Sequence, residues 1–498
     1  MLDSTSSASL RRWLGLGVGI LLFAGLLVLP APEGLDLAAW RTAAVGLLMA
    51  AWWMTEAIPI AATALVPLVL FPVLGISDID AAAAPYANPL IFLFLGGFLL
   101  AQAMQACGLH RRVALTIVQR VGTRPSSIVI GFILASAFLS MWVSNTATAL
   151  MMLPIGLSIV RLADERLEAD ADAPPHRFAL VLLLSIAYAC NIGGMGTLIG
   201  TPPNALLAGF VSETYGVDVG FAQWLTLGLP LVAVALPLMY AVLTRVYPIG
   251  IDHLPGGAAL IAEEMDRLGP MRRAERRVAL VFGVTALLWI TRPLLANGIP
   301  GLSDAGIAIG AALALFLLPS GDDEADALLT WEEAEDLPWG VLILFGGGLS
   351  LASAISDTGL AAWLGTGVQA LGGWPILFVL IATVALIVVL TEITSNTATT
   401  AAFLPILGAV AIGLGENPFL LIIPAALGAS CAFMLPVATP PNAIVYGSGR
   451  LTIPQMSRVG IGLNIAFIVL IPALAYVLLG LTFGVDIGTL PDWTSGAL

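Results

Sequence analysis

Ser144-Asn145-Thr146-Ala147-Thr148 recurs, residue for residue, as Ser395-Asn396-Thr397-Ala398-Thr399, 251 positions later. Each copy lies in a long apolar stretch and is followed by Leu-Pro, at Leu153-Pro154 and Leu404-Pro405. A second pair accompanies the first, Thr201-Pro202-Pro203-Asn204-Ala205 and Thr439-Pro440-Pro441-Asn442-Ala443. A double proline in apolar surroundings needs a reason, because proline lacks the amide donor and clashes with the preceding helical turn. The four segments read as one binding site made by two copies of a half-molecule.

Around them the chain is 59% hydrophobic and 10% charged, with a mean hydropathy of +0.99. That excludes a soluble domain with a single core and indicates an all-α polytopic membrane protein. The net charge of −13 sits in loops and ends and argues against a nucleic-acid partner. All nineteen basic residues are arginine. Cys107, Cys190 and Cys431 fall in apolar segments without metal-ligand spacing and read as buried free thiols. His110, His176 and His253 lie in or beside polar loops, so neither a histidine metal site nor a cofactor is expected.

Eleven spans and two re-entrant hairpins account for the apolar pattern. Spans one to four cover about residues 13–29, 37–54, 60–74 and 90–107, the last emptying into a loop with Arg111, Arg112, Arg120 and Arg124. A cleaved signal peptide is discounted, because no small-residue cleavage site precedes the acidic loop 32–36. Trp52 and Trp53 suit an interfacial belt, beside a tight turn at Glu56-Ala57-Ile58-Pro59. Residues 126–160 exceed the roughly twenty that one crossing needs, and both flanks carry arginine, so this stretch enters and leaves on one side with its polar tip at membrane depth. Span five (178–211) is broken at Pro202-Pro203; spans six to nine cover 224–243, 278–295, 305–318 and 339–355. An acidic loop, 320–336, precedes span nine; the second hairpin (374–412), a broken span ten (420–446) and span eleven (461–481) complete the chain.

With the N-terminus cytoplasmic, seventeen of the nineteen arginines fall on the cytoplasmic side, leaving Arg41 and Arg292 near the outer ends of spans. Spans four and nine then run in opposite directions. They match at the same spacing of 251, Gly96-Gly97, Ala101, Ala103 and Gly108-Leu109 against Gly347-Gly348, Ala352, Ala354 and Gly359-Leu360. The halves are inverted-topology repeats, an arrangement typical of secondary transporters with a site near the midplane.

Non-helical backbone persists in hydrocarbon only where it lines a cavity or meets a ligand. Helix N-termini at the tips offer amides to an anion, while freed carbonyls and hydroxyls offer neutral oxygens to small cations. No arginine lies near the motifs, so helix ends, neutral donors and bound cations must meet the substrate charge, which points to a sodium-coupled anion. Glu392, whose counterpart is Met141, reads as a capped structural carboxylate in preference to a proton relay. Glu56 reads as interfacial and structural. A single Ser-Asn-Thr could be interhelical glue, but two copies paired with Thr-Pro-Pro-Asn-Ala argue for a site. The pairs Gly96-Gly97 and Gly347-Gly348 read as close-packing points; Gly193-Gly194 suits packing or the site.

These paired motifs, together with Trp52-Trp53-Met54-Thr55-Glu56-Ala57-Ile58-Pro59, resemble the divalent anion/sodium symporter family over nearly the whole chain. Members of that family carry succinate, malate, fumarate, citrate or sulfate. The resemblance implies a homodimer in the bacterial inner membrane, each protomer with a static scaffold and a transport domain that moves as an elevator. The scaffold would be 1–120 and 245–372, and the moving part 121–244 and 373–498. It further implies one sodium site at Ser140, Ser144, Asn145 and the carbonyl of Gly200, and another at Thr391, Ser395, Asn396 and the carbonyl of Ala438. Substrate would be held by Ser144, Asn145, Thr146, Ser395, Asn396 and Thr397, with Thr201, Thr439 and Pro440. The expected activity is sodium-coupled import of C4-dicarboxylates. Citrate or sulfate transport and sodium-independent exchange on the same fold remain alternatives. A channel and a membrane-embedded enzyme are more distant, the latter because no His, Cys or carboxylate cluster stands near the motifs.

Overall fold

A computed structural model describes residues 2–122, 124–168, 177–251, 253–254, 256–296, 298–322, 325–368 and 374–496. His176 and the expected boundary between 372 and 373 lie outside the described residues. The first half contains helices α1 (Leu2–Val28), α2 (Leu37–Thr55), α3 (Ile60–Thr63), α4 (Val66–Leu74), α5 (Ile79–Ala83), α6 (Pro89–Ala106) and α7 (Leu109–Val121). It continues with α8 (Pro125–Ser140), α9 (Asn145–Glu168), α10 (Phe178–Gly194), α11 (Pro202–Tyr215) and α12 (Phe221–Val246). The second half has α13 (Gly257–Arg267), α14 (Arg273–Leu295), α15 (Asp304–Leu317), α16 (Trp331–Glu335), α17 (Trp339–Asp357) and α18 (Leu360–Val368). It ends with α19 (Ile376–Thr391), α20 (Asn396–Gly413), α21 (Phe419–Ala429), α22 (Pro440–Tyr446) and α23 (Ile453–Phe483).

Eight helical segments among the described residues are long and apolar enough to cross a bilayer; one, Ile79–Ala106, joins α5 to α6, and two, Asn145–Glu165 and Asn396–Gly413, are the second arms of the hairpins. Of the five other expected spans, one and eight are continuous helices whose apolar parts, Arg12–Val28 and Asp304–Leu317, fall short of about twenty residues, and the other three are interrupted. Spans three, five and ten are each divided into two helices, α3/α4, α10/α11 and α21/α22, so none reaches about twenty residues unbroken. The prolines do not interrupt these helices. Pro202 and Pro440 start α11 and α22, where the missing amide would have been an orphan anyway, and the irregular backbone lies upstream of them.

Three connections differ from expectation. The arginine-bearing loop after span four is the helix α7, and its counterpart in the second half is α18. Each begins after a glycine in the left-handed region, Gly108 at φ 79° and Gly359 at φ 77°, which only glycine adopts without strain. The acidic loop contains an antiparallel strand pair, β1 (Pro319–Asp322) and β2 (Ala325–Ala327), and α16, whose Thr330 and Glu333 form a capping box. Trp53 is buried, because its indole donates to the Ile60 carbonyl (3.1 Å) across the Glu56–Pro59 turn. Glu56 itself takes φ 51° and closes the C-terminus of α2.

The two halves interlock. α9 packs on α22 of the second half, and α20 packs on α11 of the first. Tyr188 of α10 donates to the Phe433 carbonyl at 2.8 Å and stacks edge-on against its ring. The first glycine of each pair is a close-packing point, whereas Gly348 has neighbours only at 3.5 Å. A Cβ at Gly96 would meet the backbone of Ala308 at 2.6 Å, and one at Gly347 would meet Ala64 Cα at 2.6 Å. Of the two arginines expected near outer span ends, Arg292 is paired with Asp304 (2.8 Å), and Arg41 donates to the carbonyl of Leu74 at the end of α4.

Candidate ion and substrate site

Each hairpin tip is a helix end, a short turn and a helix start. In the first, α8 ends at Ser140 and α9 begins at Asn145, with Ser144 accepting from the Ala147 amide at 3.2 Å. In the second, α19 ends at Thr391 and α20 begins at Asn396, with Ser395 accepting from the Ala398 amide at 3.5 Å. Serine occupies these positions because its oxygen takes up one of the amides that a helix start leaves unpaired.

The Ser140 hydroxyl contacts Asn145 Oδ1 and lies 2.8 Å from the carbonyl oxygen of Cys190. Thr391 repeats this in the second half, 2.6 Å from Asn396 Oδ1 and 2.8 Å from the carbonyl of Ala429. Three oxygens thus crowd together with one hydroxyl proton among them, which can satisfy only one of the two acceptors. Such an oxygen cluster has unmet negative partial charge and suits a small hard cation. Gly200 joins the first cluster through its carbonyl. The position a Cβ would take on Gly194 lies 2.9 Å from Asn145 Oδ1 and 3.1 Å from Gly200 O, so both oxygens border the space this glycine leaves open. Gly193, by contrast, faces the Ala137 backbone and serves packing. Ser140, Asn145 and Gly200 are therefore brought together, as are Thr391 and Asn396. Ala438 is buried beside the second break, and Cys190 and Ala429 contribute carbonyls that the sequence reading missed.

Thr146 and Thr397 are half-buried, and their hydroxyls have no hydrogen-bond partner among the described residues. Ser144 and Pro440 are exposed. The two break threonines differ. Thr201 is buried without a cap bond, whereas Thr439 Oγ1 accepts from the Asn442 amide (3.3 Å) and from Asn191 Nδ2 (3.1 Å) of the other half. The asparagines of the Thr-Pro-Pro-Asn motifs hold the breaks together. Asn204 Nδ2 donates to the carbonyls of Gly194 (3.1 Å) and Thr197 (2.8 Å), and Asn442 Nδ2 to those of Ala432 (3.0 Å) and Leu435 (3.1 Å). These carbonyls stand ten and seven residues back in both halves, so the same staple is used twice.

Glu392 is the point at which the halves diverge. Its carboxylate accepts from the amides of Phe433 (2.8 Å), Met434 (2.9 Å) and Leu435 (3.1 Å) and from Asn464 Nδ2 (2.7 Å). Every partner is a donor, so the group acts as a cap on the second break, the structural one of the two roles weighed for it. At the first break Met141 occupies the equivalent place, and its carbonyl accepts from the Thr197 hydroxyl instead. Asn191 and Asn464 were not singled out from sequence; the available signal was a lone amide side chain within an apolar span.

The sodium:sulfate symporter transmembrane region, as a family, matches residues 10–485. The sodium-dependent dicarboxylate transporter SdcS of Staphylococcus aureus strain USA300 is 44% identical over 485 residues, covering 96% of this chain and 93% of its own. The protein of the same name from strain MRSA252 matches equally. Among solved structures, the YdaH transporter of Alcanivorax borkumensis aligns with a TM-score of 0.55 at 15% identity, covering 90% of this chain and 99% of its own. MtrF of Neisseria gonorrhoeae aligns with a TM-score of 0.57 at 14% identity, covering 95% and 98%. These two likenesses concern the fold alone. From the paired tips, the stapled breaks and the match along almost its whole length, the chain belongs to the divalent anion/sodium symporter family, that of the sodium:sulfate symporter transmembrane region.

Proposed function

We propose that this chain is a sodium-coupled secondary active importer of C4-dicarboxylates, of the succinate, malate or fumarate type. The observation that carries the proposal is the oxygen cluster repeated at the two tips, Ser140, Asn145 Oδ1 and Cys190 O in one and Thr391, Asn396 Oδ1 and Ala429 O in the other. One sodium ion binds at each, with Gly200 O completing the first and Ala438 O the second. The hydroxyls of Thr146, Thr397 and Thr201, with the first amides of α9 and α20, hold the two carboxylates. Sodium bound beside these donors supplies the positive charge that the absence of arginine leaves wanting, so substrate and ions bind together. The name carried by the Staphylococcus aureus relative supports a dicarboxylate as the anion.

In this reading both hairpins are re-entrant, the arginine-rich side is cytoplasmic, and the protein lies in the inner membrane as a homodimer. The hairpins with α10–α12 and α21–α23 move as an elevator against the rest. The test is labelled-succinate uptake into proteoliposomes under an inward sodium gradient, repeated with potassium in its place. Uptake that requires sodium supports the proposal. Equal uptake in both, dependent on dicarboxylate loaded inside, replaces it with exchange. The family description favours one second reading, a sodium:sulfate carrier, for which sulfate would drive uptake and succinate would not compete.

A further inference from the structure

The helix α7 carries two separate faces. Ala114, Leu115 and Val118 are buried against the protein, whereas Arg112, Val113, Thr116, Ile117 and Arg120, spaced three and four apart along one stripe, line an open groove of about 450 Å³ that the buried Leu109 closes at the start of the helix. Phe138 of α8, 42% exposed, and Met271 complete the groove. Its two arginines are in different situations. Arg112 is committed to Glu275 (2.8 Å) and to the Gly269 carbonyl (3.0 Å), so it serves as a wall. Arg120, at the C-terminal end of the helix, is exposed and has no partner among the described residues. The Thr116 hydroxyl is also spent, on the Arg112 carbonyl (2.7 Å). One end of the groove is therefore cationic, and its floor and far side are apolar.

We infer that this groove is a binding site for an anionic glycerophospholipid, whose phosphate pairs with Arg120 and whose acyl chain lies along Val113, Ile117, Phe138 and Met271. A free inorganic anion would satisfy Arg120 but leave the apolar wall uncovered, and a neutral lipid would cover the wall but leave the guanidinium unpaired. An interfacial amphipathic helix with a basic end is the physical form that recognises both parts at once. The volume suits a glycerophosphate headgroup with the upper part of a chain, the rest continuing into the bilayer. The inference depends on the chain being embedded in a membrane and not on what it transports, and its test reads no transport.

The protein is reconstituted into nanodiscs of equal amounts of phosphatidylcholine and phosphatidylglycerol with identical acyl chains. Lipids retained on each protomer after release are counted by native mass spectrometry. The wild type is expected to retain phosphatidylglycerol selectively; Arg120→Gln should reduce that selectivity about fivefold, and Ile117→Trp, which fills the apolar part, should lower retention of both lipids. Retention without headgroup preference in the wild type would overturn the inference without recourse to any variant. So would wild-type selectivity in Arg120→Gln, undiminished retention in Ile117→Trp, or displacement of phosphatidylglycerol by glycerol phosphate, which would make the site one for a soluble anion.

Discussion

Adding one methyl group at Gly194 tests the proposed first cation site directly. The new Cβ would stand 2.9 Å from Asn145 Oδ1, 3.1 Å from Gly200 O and 3.3 Å from Asn145 Nδ2. These are closer than ordinary carbon–oxygen contacts, so the oxygens must swing away from each other, which is the arrangement a bound cation opposes. Overpacking of this kind costs about 1–3 kcal/mol, and if that falls on the ion-bound form the half-saturating sodium concentration rises between about fivefold and 150-fold. The assay is the initial rate of succinate uptake in proteoliposomes against external sodium, with the sodium-dependent rise in thermal unfolding temperature measured on the same preparation. Sodium dependence should persist in weakened form, because the second half carries Ala432 where the first has Gly194, so an alanine at this position is compatible with the fold of a break. Gly193→Ala is the control: it meets the Ala137 backbone and should lower stability alike with and without sodium. A folded Gly194→Ala protein with the wild-type sodium curve would refute the assignment of this cluster to a coupling ion.

The remaining expectations separate ligands from supports. Asn145→Ala and Asn396→Ala should each abolish sodium-driven uptake while the protein stays folded, and near-normal uptake in either would remove that tip from the mechanism. Glu392→Gln places an NH2 among the donors from Phe433, Met434, Leu435 and Asn464, and should cost about 2–4 kcal/mol of stability; an unchanged unfolding temperature would show that the carboxylate is not a cap. Thr201→Ala should weaken apparent succinate affinity with stability intact, whereas Thr439→Ala should also destabilise, because it uncaps the Asn442 amide and removes the shortest of the Asn191 side-chain bonds. Equal behaviour of the two would contradict the asymmetry between the breaks.

Much of this was legible along the chain. Ser144-Asn145-Thr146 and its copy marked two helix starts, because a serine followed by a polar pair inside an apolar run has few other uses, and both starts are where the motif placed them. The double prolines mark breaks but not their own place within them: proline is disruptive inside a helix and favourable at its first turn, and local sequence alone does not say on which side the irregular backbone lies. The charges after span four suggest a loop, but the apolar residues between them have a helical period, and Ala114, Leu115 and Val118 bury one face of a helix there. Cys190 and Ala429 escaped notice because they act through carbonyls, and a backbone oxygen has no residue type to announce it.

By itself the amino-acid sequence determined that the chain lives in a bilayer, that it is built twice, and which short motifs carry polar chemistry. Composition and repetition are properties of the string and survive any folding. Only the tertiary structure decided how the copies differ. Glu392 caps the second break where the first has Met141, Asn191 reaches across from one half to the threonine of the other, and Gly194 keeps open a space that Gly193, one residue away, does not border. Such differences depend on contacts between residues up to 248 positions apart. They are settled by which donors and acceptors packing leaves unpaired, a quantity that exists only once the two halves have closed on each other.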